Sequence, residues 1–204
     1  MFYSSTRSDD IPVHSAQTIL AGLAPDGGLY VPETIPRLTP PDIEALASLS
    51  YPERALQILS LYLTDFSESA LQDCITGAYE KGTFDTPDIA PVRTLQPDLH
   101  VLELWHGPTC AFKDLALQIL PHLLTASARI QGDDRSYVIL TATSGDTGKA
   151  ALAGFQDVPN TRLLVFYPAG GASVASRSCK WSPRKAKTLG SSLCGATSTT
   201  PKPG

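Results

Sequence analysis

The segment that decides the fold of this chain is Trp105–Gln118, which reads WHGPTCAFKDLALQ. The run just before it, LHVLELW at Leu99–Trp105, is short, apolar and bounded by polar residues, which is typical of a buried strand. A Gly-Pro pair ends that strand, and Thr109 is then placed to act as the N-cap of a helix through AFKDLALQIL. The pattern therefore predicts that Lys113 lies in the first turn of a helix that follows a strand.

Lys113 is unusually placed for a lysine. The amino-terminal end of a helix carries partial positive charge, which destabilises a cation there. The same field favours a neutral amine, and a neutral lysine is a nucleophile that can form a Schiff base with a carbonyl compound. The alternative is a solvated surface lysine, which is the interpretation that position alone favours.

A resemblance to a known family bears on this choice. The nonapeptide HGPTCAFKD, His106–Asp114, resembles the HGPTxAFKD signature of threonine synthases, in which the lysine carries pyridoxal phosphate. Two further segments carry the same resemblance, namely YSSTR with GLAPDGGLYVPETIP near the amino terminus, and ATSGDTGKAAL in the second half. The resemblance implies that Lys113 is the catalytic, cofactor-holding residue.

Composition and charge limit the class of protein. The chain has 204 residues, 42% of them hydrophobic, and a net charge of −4, which argues against a nucleic-acid or anionic-membrane partner. The four cysteines are widely spaced and form no CxxC or His/Cys cluster, so we expect neither a disulfide framework nor a metal site, and a cytoplasmic, reducing location fits. The amino terminus lacks a secretory apolar region, and no apolar run approaches the length of a membrane span.

The first segment, residues 1–84, is predicted to be a small, mainly helical domain. A short strand at FYSSTR precedes a helix capped by Ser15, and further helices are expected at about Pro41–Ala47, Tyr51–Tyr62 and Glu68–Lys81. Leu56, Leu59 and Leu63 recur at helical spacing, which indicates a stripe that faces a core rather than a site. By resemblance, this segment is the amino-terminal domain that covers the active site of threonine synthases.

The second segment, residues 85–171, alternates strands with helices and is therefore predicted to be α/β. The expected strands are His100–Trp105, Val138–Thr143 and Leu163–Tyr167, and this alternation indicates a parallel sheet covered on both faces. The expected helices are Ala111–Ile130, bent at Pro121, and Thr147–Phe155. The resemblance implies that this is the first part of a doubly wound, fold type II pyridoxal-phosphate domain, which would then be truncated.

A second candidate site lies where the predicted strand Val138–Thr143 ends and a helix begins. Ligands of open α/β sheets bind at such positions, and glycines there let backbone amides converge on an anion. The alternative is an ordinary capped turn. By resemblance, the loop contacts the cofactor ring through Asp146 and the anionic groups of the substrate through the remaining residues, which are Thr143, Ser144, Gly145, Thr147 and Gly148.

Two neighbours of Lys113 are also candidates for a role. His106 could carry protons because its pKa is near neutrality, but a hydrogen-bonded structural role is the interpretation we favour. Asp114 could pair with Lys113 or act as a first-turn acid that complements the helix dipole, and we favour the second role.

The tail, residues 172–204, differs in character from the rest of the chain. It is basic, rich in Ser, Thr and Pro, and without periodicity, which is typical of a disordered segment. When it is back-translated and read one base out of register, Ser176–Leu189 permits QKLQMVTQEGENV and Ala196–Pro203 permits NFDDAQT, both of which resemble threonine synthase sequence. Our hypothesis is a one-base frameshift near residues 170–172, followed by out-of-frame translation to an early stop; the alternative is a natural low-complexity tail.

The implied reaction converts O-phospho-L-homoserine and water to L-threonine and phosphate, the last step of threonine biosynthesis. The implied partner is this small-molecule substrate, with no nucleic acid and no membrane, and no pattern specifies an oligomeric state. The frameshift hypothesis predicts that this chain folds poorly and is inactive, because half a parallel sheet leaves an edge and apolar surface uncovered. Two alternatives stay open: another pyridoxal-phosphate lyase, such as a serine or threonine dehydratase, and a non-catalytic fragment or pseudoenzyme.

Overall fold

The computed structural model describes residues 1–8, 11–80, 82–143, 145–168 and 189–194. The chain begins with strand β1 (Phe2–Ser5), which pairs antiparallel with β2 (Val13–His14) on one side and β3 (Tyr30–Pro32) on the other. Helix α1 (Ser15–Ala21) follows β2 directly. The predicted first strand and first helix are both present.

We predicted that Ser15 caps α1, and this prediction is wrong. His14 is the N-cap residue and makes no side-chain cap, and Ser15 is already the first helical residue. Asp65 supplies the missing acceptor from another part of the chain, because its carboxylate accepts hydrogen bonds from the Ser15 hydroxyl and, at 2.9 Å, from the Ala16 backbone N–H. Because Asp65 lies 50 residues from Ser15 in the sequence, no local sequence pattern predicts this cap.

Three helices follow close to their predicted bounds, namely α2 (Pro40–Ala47), α3 (Tyr51–Tyr62) and α4 (Glu68–Tyr79). Reciprocal caps fix the first two. The Asp42 carboxylate accepts from the Thr39 N–H at 2.7 Å, and the Glu53 carboxylate accepts from the Ser50 N–H at 2.7 Å. A proline in the first turn of each helix adds to the signal.

The largest core lies around α4 and confirms that the leucine stripe of α3 faces inward. Leu71 and Ile75 of α4 are buried, and Leu56 and Leu59 pack against the same cluster. The cluster also includes residues from beyond position 84, the predicted domain boundary, among them Ile89, Ile119 and Leu123. The helical segment and the lysine segment therefore share one core, and the division at residue 84 stays a prediction.

The strand before the lysine turn differs from its prediction. Strand β5 (Leu99–Leu102) pairs antiparallel with β4 (Val92–Gln96) in a separate two-stranded sheet, so it is not part of the parallel sheet. Leu99 and Leu102 are about half exposed rather than buried. The reason is the turn at Pro97-Asp98, which is short enough to return the chain as a hairpin.

The helix predicted over Ala111–Ile130 is two helices. The first, α5 (Asp114–Leu117), is a single turn, and α6 (Leu120–Gln131) follows after a break at Gln118 and Ile119. Pro121 does not bend a continuous helix, because it occupies the first turn of α6, where its missing N–H costs no hydrogen bond.

The predicted strand-helix-strand unit is present. Strand β6 (Tyr137–Ala142) and strand β7 (Thr161–Pro168) run parallel and are joined by α7 (Asp146–Gly154). Phe155, Leu163 and Val165 form a second buried cluster on one face of this sheet. On the other face Val138 and Leu140 are 59% and 65% exposed, so the expectation that both faces are covered is wrong for β6 in the part of the chain described.

The expectation of a tail without regular structure also needs correction, for six residues. Leu189–Cys194 forms strand β8, which pairs parallel with β7 in the register Leu163 to Leu189. The physical reason is that a strand edge presents unpaired N–H and C=O groups, which a proline-free segment can satisfy whatever its side chains. The rest of the tail, and with it most of the out-of-register runs, lies outside the described residues.

Candidate active site

The turn that precedes Lys113 is held together by Asp114. This residue is fully buried, and its carboxylate accepts hydrogen bonds from the Thr109 backbone N–H at 2.8 Å, the Thr109 hydroxyl at 2.7 Å and the Ala111 N–H at 3.4 Å. A Cβ added to Gly107 would lie 2.4 Å from the Asp114 Cβ, so only glycine leaves room for the side chain. The result is a compact loop that fixes the backbone on both sides of Lys113.

The position of Thr109 corrects our prediction that it caps the lysine helix. The N-cap of α5 is Lys113 itself, and Thr109 instead donates to Asp114. Cys110 lies between these contacts with a positive φ of 57°, which is uncommon for a residue other than glycine. Asp114 is the first-turn acid that we predicted, but its main contacts are with the preceding loop.

The Lys113 side chain is half-buried, and its ammonium nitrogen lies 4.2 Å from the centre of the Phe112 ring. Among the residues that the structure describes, none accepts a hydrogen bond from this nitrogen or forms an ion pair with it. A cation above a ring face gains a modest attraction. The helix dipole acts only weakly on Lys113, because α5 has four residues and few aligned peptide dipoles.

The loop between β6 and α7 forms a small set of converging amides. The N–H groups of Gly145 and Gly148 both point to the Thr143 hydroxyl oxygen, at 3.2 and 3.4 Å. Asp146 is the first residue of α7 and its side chain is exposed, whereas Gly148 is buried. Thr147 is half-buried, and Ser144 lies outside the described residues.

The geometry of this loop is compatible with both interpretations of it. The Thr143 hydroxyl acts as an ordinary local cap, which is what the plain capped turn predicts. At the same time two N–H groups converge on one oxygen atom at the start of a nine-residue helix, which is the arrangement that also accepts an oxyanion.

Packing of α5 against α7 connects the two candidate elements. A Cβ on Gly154, at the end of α7, would lie 1.9 Å from the Leu117 carbonyl oxygen, so these helices approach at backbone distance. The structure thus brings the N–H groups of Gly145 and Gly148 together around the hydroxyl oxygen of Thr143. In the described part of the chain, no hydrogen bond or ion pair links Lys113 to them.

His106 is hydrogen-bonded through both ring nitrogens. Its Nδ1 lies 2.5 Å from the Asp85 carboxylate and its Nε2 lies 2.8 Å from the Glu103 carboxylate, which also pairs with Arg93 at 3.5 Å. These bonds, first that to Glu103 and then that to Asp85, raise the pKa of His106 above its usual value. The contacts agree with the structural role that we favoured, since both proton positions are occupied.

A pH dependence of stability follows from this pair of contacts. Because the pKa of His106 is higher in the folded chain than in the unfolded chain, its contribution is complete below about pH 6.5 and is lost as the pH rises through the folded value. We expect a His106→Gln variant to lose more stability relative to the parent at about pH 6 than at about pH 8. Urea unfolding at both pH values measures this, and an equal loss at the two would contradict it.

Several residues that shape these sites were not identified from the sequence. Phe112 lies beneath the lysine, and Asp85 and Glu103 bind His106. Thr143 was predicted to contact the substrate, but its use as the acceptor for the loop amides was not. The available signal was weak: a buried Asp beside a Lys looks like any first-turn acid, and a Thr at the end of a strand looks like any β-branched residue.

The described residues place no group of three or more His, Cys, Asp or Glu side chains where they could hold a metal ion. Likewise, no helix of the described chain is long and apolar enough to cross a membrane. Cys74 and Cys110 are both free, and burial raises the pKa of the Cys74 thiol to about 11.

Comparison with known proteins identifies the relatives of this chain. The family model described as threonine synthase N terminus matches residues 2–79. The threonine synthase of Schizosaccharomyces pombe is 37% identical over 179 residues, covering 84% of this chain and 34% of that protein.

Two solved structures are similar to it. The yeast threonine synthase superposes with a TM-score of 0.86 at 31% identity, covering 96% of this chain and 41% of the other. The structure described as PLP-bound threonine synthase from Brucella melitensis superposes with a TM-score of 0.78 at 37% identity, covering 85% and 37%.

The chain thus spans a little over a third of the length of these relatives. The match to the family model begins at residue 2. The match to the yeast structure extends over nearly the whole chain. The α/β fold with a small parallel sheet agrees with the first part of these proteins. By sequence and by fold, this chain is similar to the amino-terminal portion of threonine synthases.

Proposed function

We propose that this chain is the amino-terminal part of a pyridoxal-phosphate enzyme that converts O-phospho-L-homoserine and water to L-threonine and phosphate. The observation that carries the proposal is the Lys113 amine, which follows a tightly held Gly107–Asp114 turn and has no polar partner among the described residues. The relatives support the substrate and reaction, because those at 37–38% identity are threonine synthases. They also support the cofactor, because the Brucella melitensis threonine synthase is described as PLP-bound.

The residues present fit pyridoxal phosphate. Covalent attachment to its aldehyde needs a primary amine that is not committed to an ion pair, and Lys113 provides one. Contact with the anionic groups of a substrate needs convergent donors. The N–H groups of Gly145 and Gly148, which donate to the Thr143 hydroxyl in this structure, would supply two when an anion takes the place of that oxygen. We assign Asp146 to the cofactor ring, and the hydroxyls of Thr143, Ser144 and Thr147 to the substrate.

When bound, the cofactor supplies an electron sink that stabilises negative charge on the substrate carbons. The residues of this chain would bind the cofactor and substrate and transfer protons. Lys113 would hold the cofactor through its amine and would move protons at the substrate carbons. The amides of the β6–α7 loop orient the anionic groups. Phosphate leaves from Cγ of the substrate, and water adds at Cβ.

Asp114 and Phe112 are positioning residues in this scheme. The Asp114 carboxylate fixes the backbone of the turn from Thr109 to Ala111, and the Phe112 ring lies against the lysine amine. A lysine that holds a cofactor and also transfers protons needs a fixed backbone, and the turn provides it.

We further propose that the enzyme acts in the cytoplasm on this small-molecule substrate. Free cysteines, one of them buried, fit a reducing compartment.

The test is an activity assay on the frame-restored protein with O-phospho-L-homoserine, which measures phosphate and threonine. We expect Lys113→Ala and Lys113→Arg to lower kcat by at least about a thousandfold, because neither side chain can hold the cofactor and move the proton. Lys149→Ala, to which we assign no role, serves as the matched control and should retain activity.

Two results would contradict the proposal. Release of ammonia from serine or threonine, with no turnover of O-phospho-L-homoserine, would make the protein a dehydratase. Absence of any turnover, together with no absorbance change when pyridoxal phosphate is added, would favour a non-catalytic binding fragment.

A further inference from the structure

A cavity lies at the opposite end of the parallel strands from the β6–α7 loop. Its volume is about 590 Å³, which falls within the range of small-molecule sites. It is bordered by the segments that lead into β6 and β7, residues 133–137 and 156–160, so it lies at the amino-terminal ends of these strands. Because β6 spans six residues, the cavity and the loop after β6 are separated by about 20 Å.

One wall of this cavity is a polar stripe. Gln118, His122, Thr125 and Arg129 recur at helical spacing along the end of α5 and the length of α6, and all four line the cavity. A polar stripe on a helix is normally its solvated face. Here the stripe faces a cavity, and α4 closes another side, since a Cβ on Gly77 would lie 2.6 Å from the His122 ring.

Gln118 carries the strongest indication of a ligand. Its side chain is only 7% exposed, yet its amide nitrogen has no hydrogen-bond partner in the described chain. Buried polar groups are nearly always paired, because leaving one unpaired lowers stability. A group that lines a cavity and lacks a partner is accounted for if a ligand supplies one.

The charges at the cavity limit the kind of ligand. Asp133 is already bound by Arg135, at 2.6 Å, and by the Tyr137 hydroxyl, at 2.7 Å. Asp157 also lines the cavity and has an interaction of its own within the chain. Among the described residues, Arg129 and Asp134 line the cavity without an ion-pair partner, one positive and one negative. The matching ligand carries one carboxylate and one ammonium group.

We propose that this cavity is a second binding site, distinct from the Lys113 region, for a neutral amino acid. The Arg129 guanidinium pairs with its carboxylate, the Asp134 carboxylate pairs with its ammonium group, and the Gln118 amide completes the polar contacts. The inference does not depend on the proposed enzymatic function, because it rests on cavity residues alone.

The test is calorimetric titration of the frame-restored protein, in which the cavity residues between 77 and 160 are unchanged, with L-serine, L-glutamine, L-leucine and L-phenylalanine. Propionate and propylamine carry only one of the two charges and serve as matched ligands. We expect at least one amino acid to bind, and both single-charge compounds to bind about tenfold more weakly, since each lacks one charged hydrogen bond.

Variants assign the binding to this cavity. We expect Gln118→Leu and Arg129→Gln each to raise the Kd about tenfold, again through loss of a hydrogen bond to a charged group. Arg93→Gln, on the β4–β5 hairpin, is the matched control and should leave the Kd unchanged, as should Lys113→Ala. If Gln118→Leu does not fold, Arg129→Gln, an exposed change, decides alone.

Three outcomes would overturn the inference. The first is absence of binding by all four amino acids at millimolar concentration. The second is an unchanged Kd in both cavity variants, and the third is propionate binding as tightly as the amino acids. Loss of binding in Lys113→Ala alone would place the ligand at the proposed active site and would likewise overturn it.

Discussion

Asp114→Ala is expected to lower the free energy of unfolding by about 3 kcal/mol, because a fully buried carboxylate that accepts three hydrogen bonds is removed. The Thr109 N–H and hydroxyl would be left buried without an acceptor. The midpoint of thermal unfolding should fall by roughly 10 °C for a chain of this size. Denaturant unfolding followed by circular dichroism measures the loss.

The matched control is Asp73→Ala, an exposed acid on the surface of α4. It should change stability by about 0.5 kcal/mol or less. If the two substitutions cost the same, Asp114 does not hold the turn, and the account of how Lys113 is positioned is wrong. The frame-restored enzyme adds a second readout, since a displaced lysine should lower kcat more than it changes KM.

Restoring the reading frame is expected to convert a poorly folding, inactive chain into a soluble enzyme. Correction of the frame by one base near residues 170–172 would replace the sequence of Ser176–Leu189 by QKLQMVTQEGENV. It would replace the sequence of Ala196–Pro203 by NFDDAQT. The continuing chain would supply cover for the sheet face where Val138 and Leu140 are now more than half exposed. Soluble yield of the two versions, expressed side by side, measures the effect.

Resequencing the gene provides the direct control for this prediction. An uninterrupted frame past residue 171, found in several independent reads, would contradict the frameshift hypothesis. The tail would then be native, and strand β8 (Leu189–Cys194) would be a native edge of the sheet.

Local signals decided which elements could be predicted from the sequence. The bounds of α3 were correct, and those of α2 nearly so, because each helix carries a capping box and an early proline within a few residues. The unit β6–α7–β7 was correct because apolar β-branched runs alternate with a glycine-containing turn and a helix. In these elements the residues that fix the backbone are neighbours in sequence.

Non-local contacts decided what could not be predicted. The β5 strand is apolar enough to be buried in a parallel sheet, but its partner is set by the Pro97-Asp98 turn, so it forms an exposed hairpin instead. The cap of α1 comes from Asp65, and the core of the helical segment includes residues from α6. Each of these depends on residues far apart in the chain.

The candidate site shows the same division. The motif around Lys113 and the TSGDTG loop were visible as sequence, and the resemblance supplied their expected roles. Burial of Asp114, the Phe112 ring under the lysine and the use of the Thr143 hydroxyl as an acceptor depend on side-chain geometry. The roles of Asp146, Thr147 and the other loop residues stay proposals.

The most direct test of the central claim, that Lys113 holds the cofactor, is covalent trapping. The frame-restored protein is mixed with pyridoxal phosphate, its absorption spectrum is recorded, the complex is reduced with borohydride, and the peptides are mapped by mass spectrometry. We predict one reduced adduct, on Lys113, and none in Lys113→Ala. An adduct only on another lysine, or no adduct at all, would contradict the account.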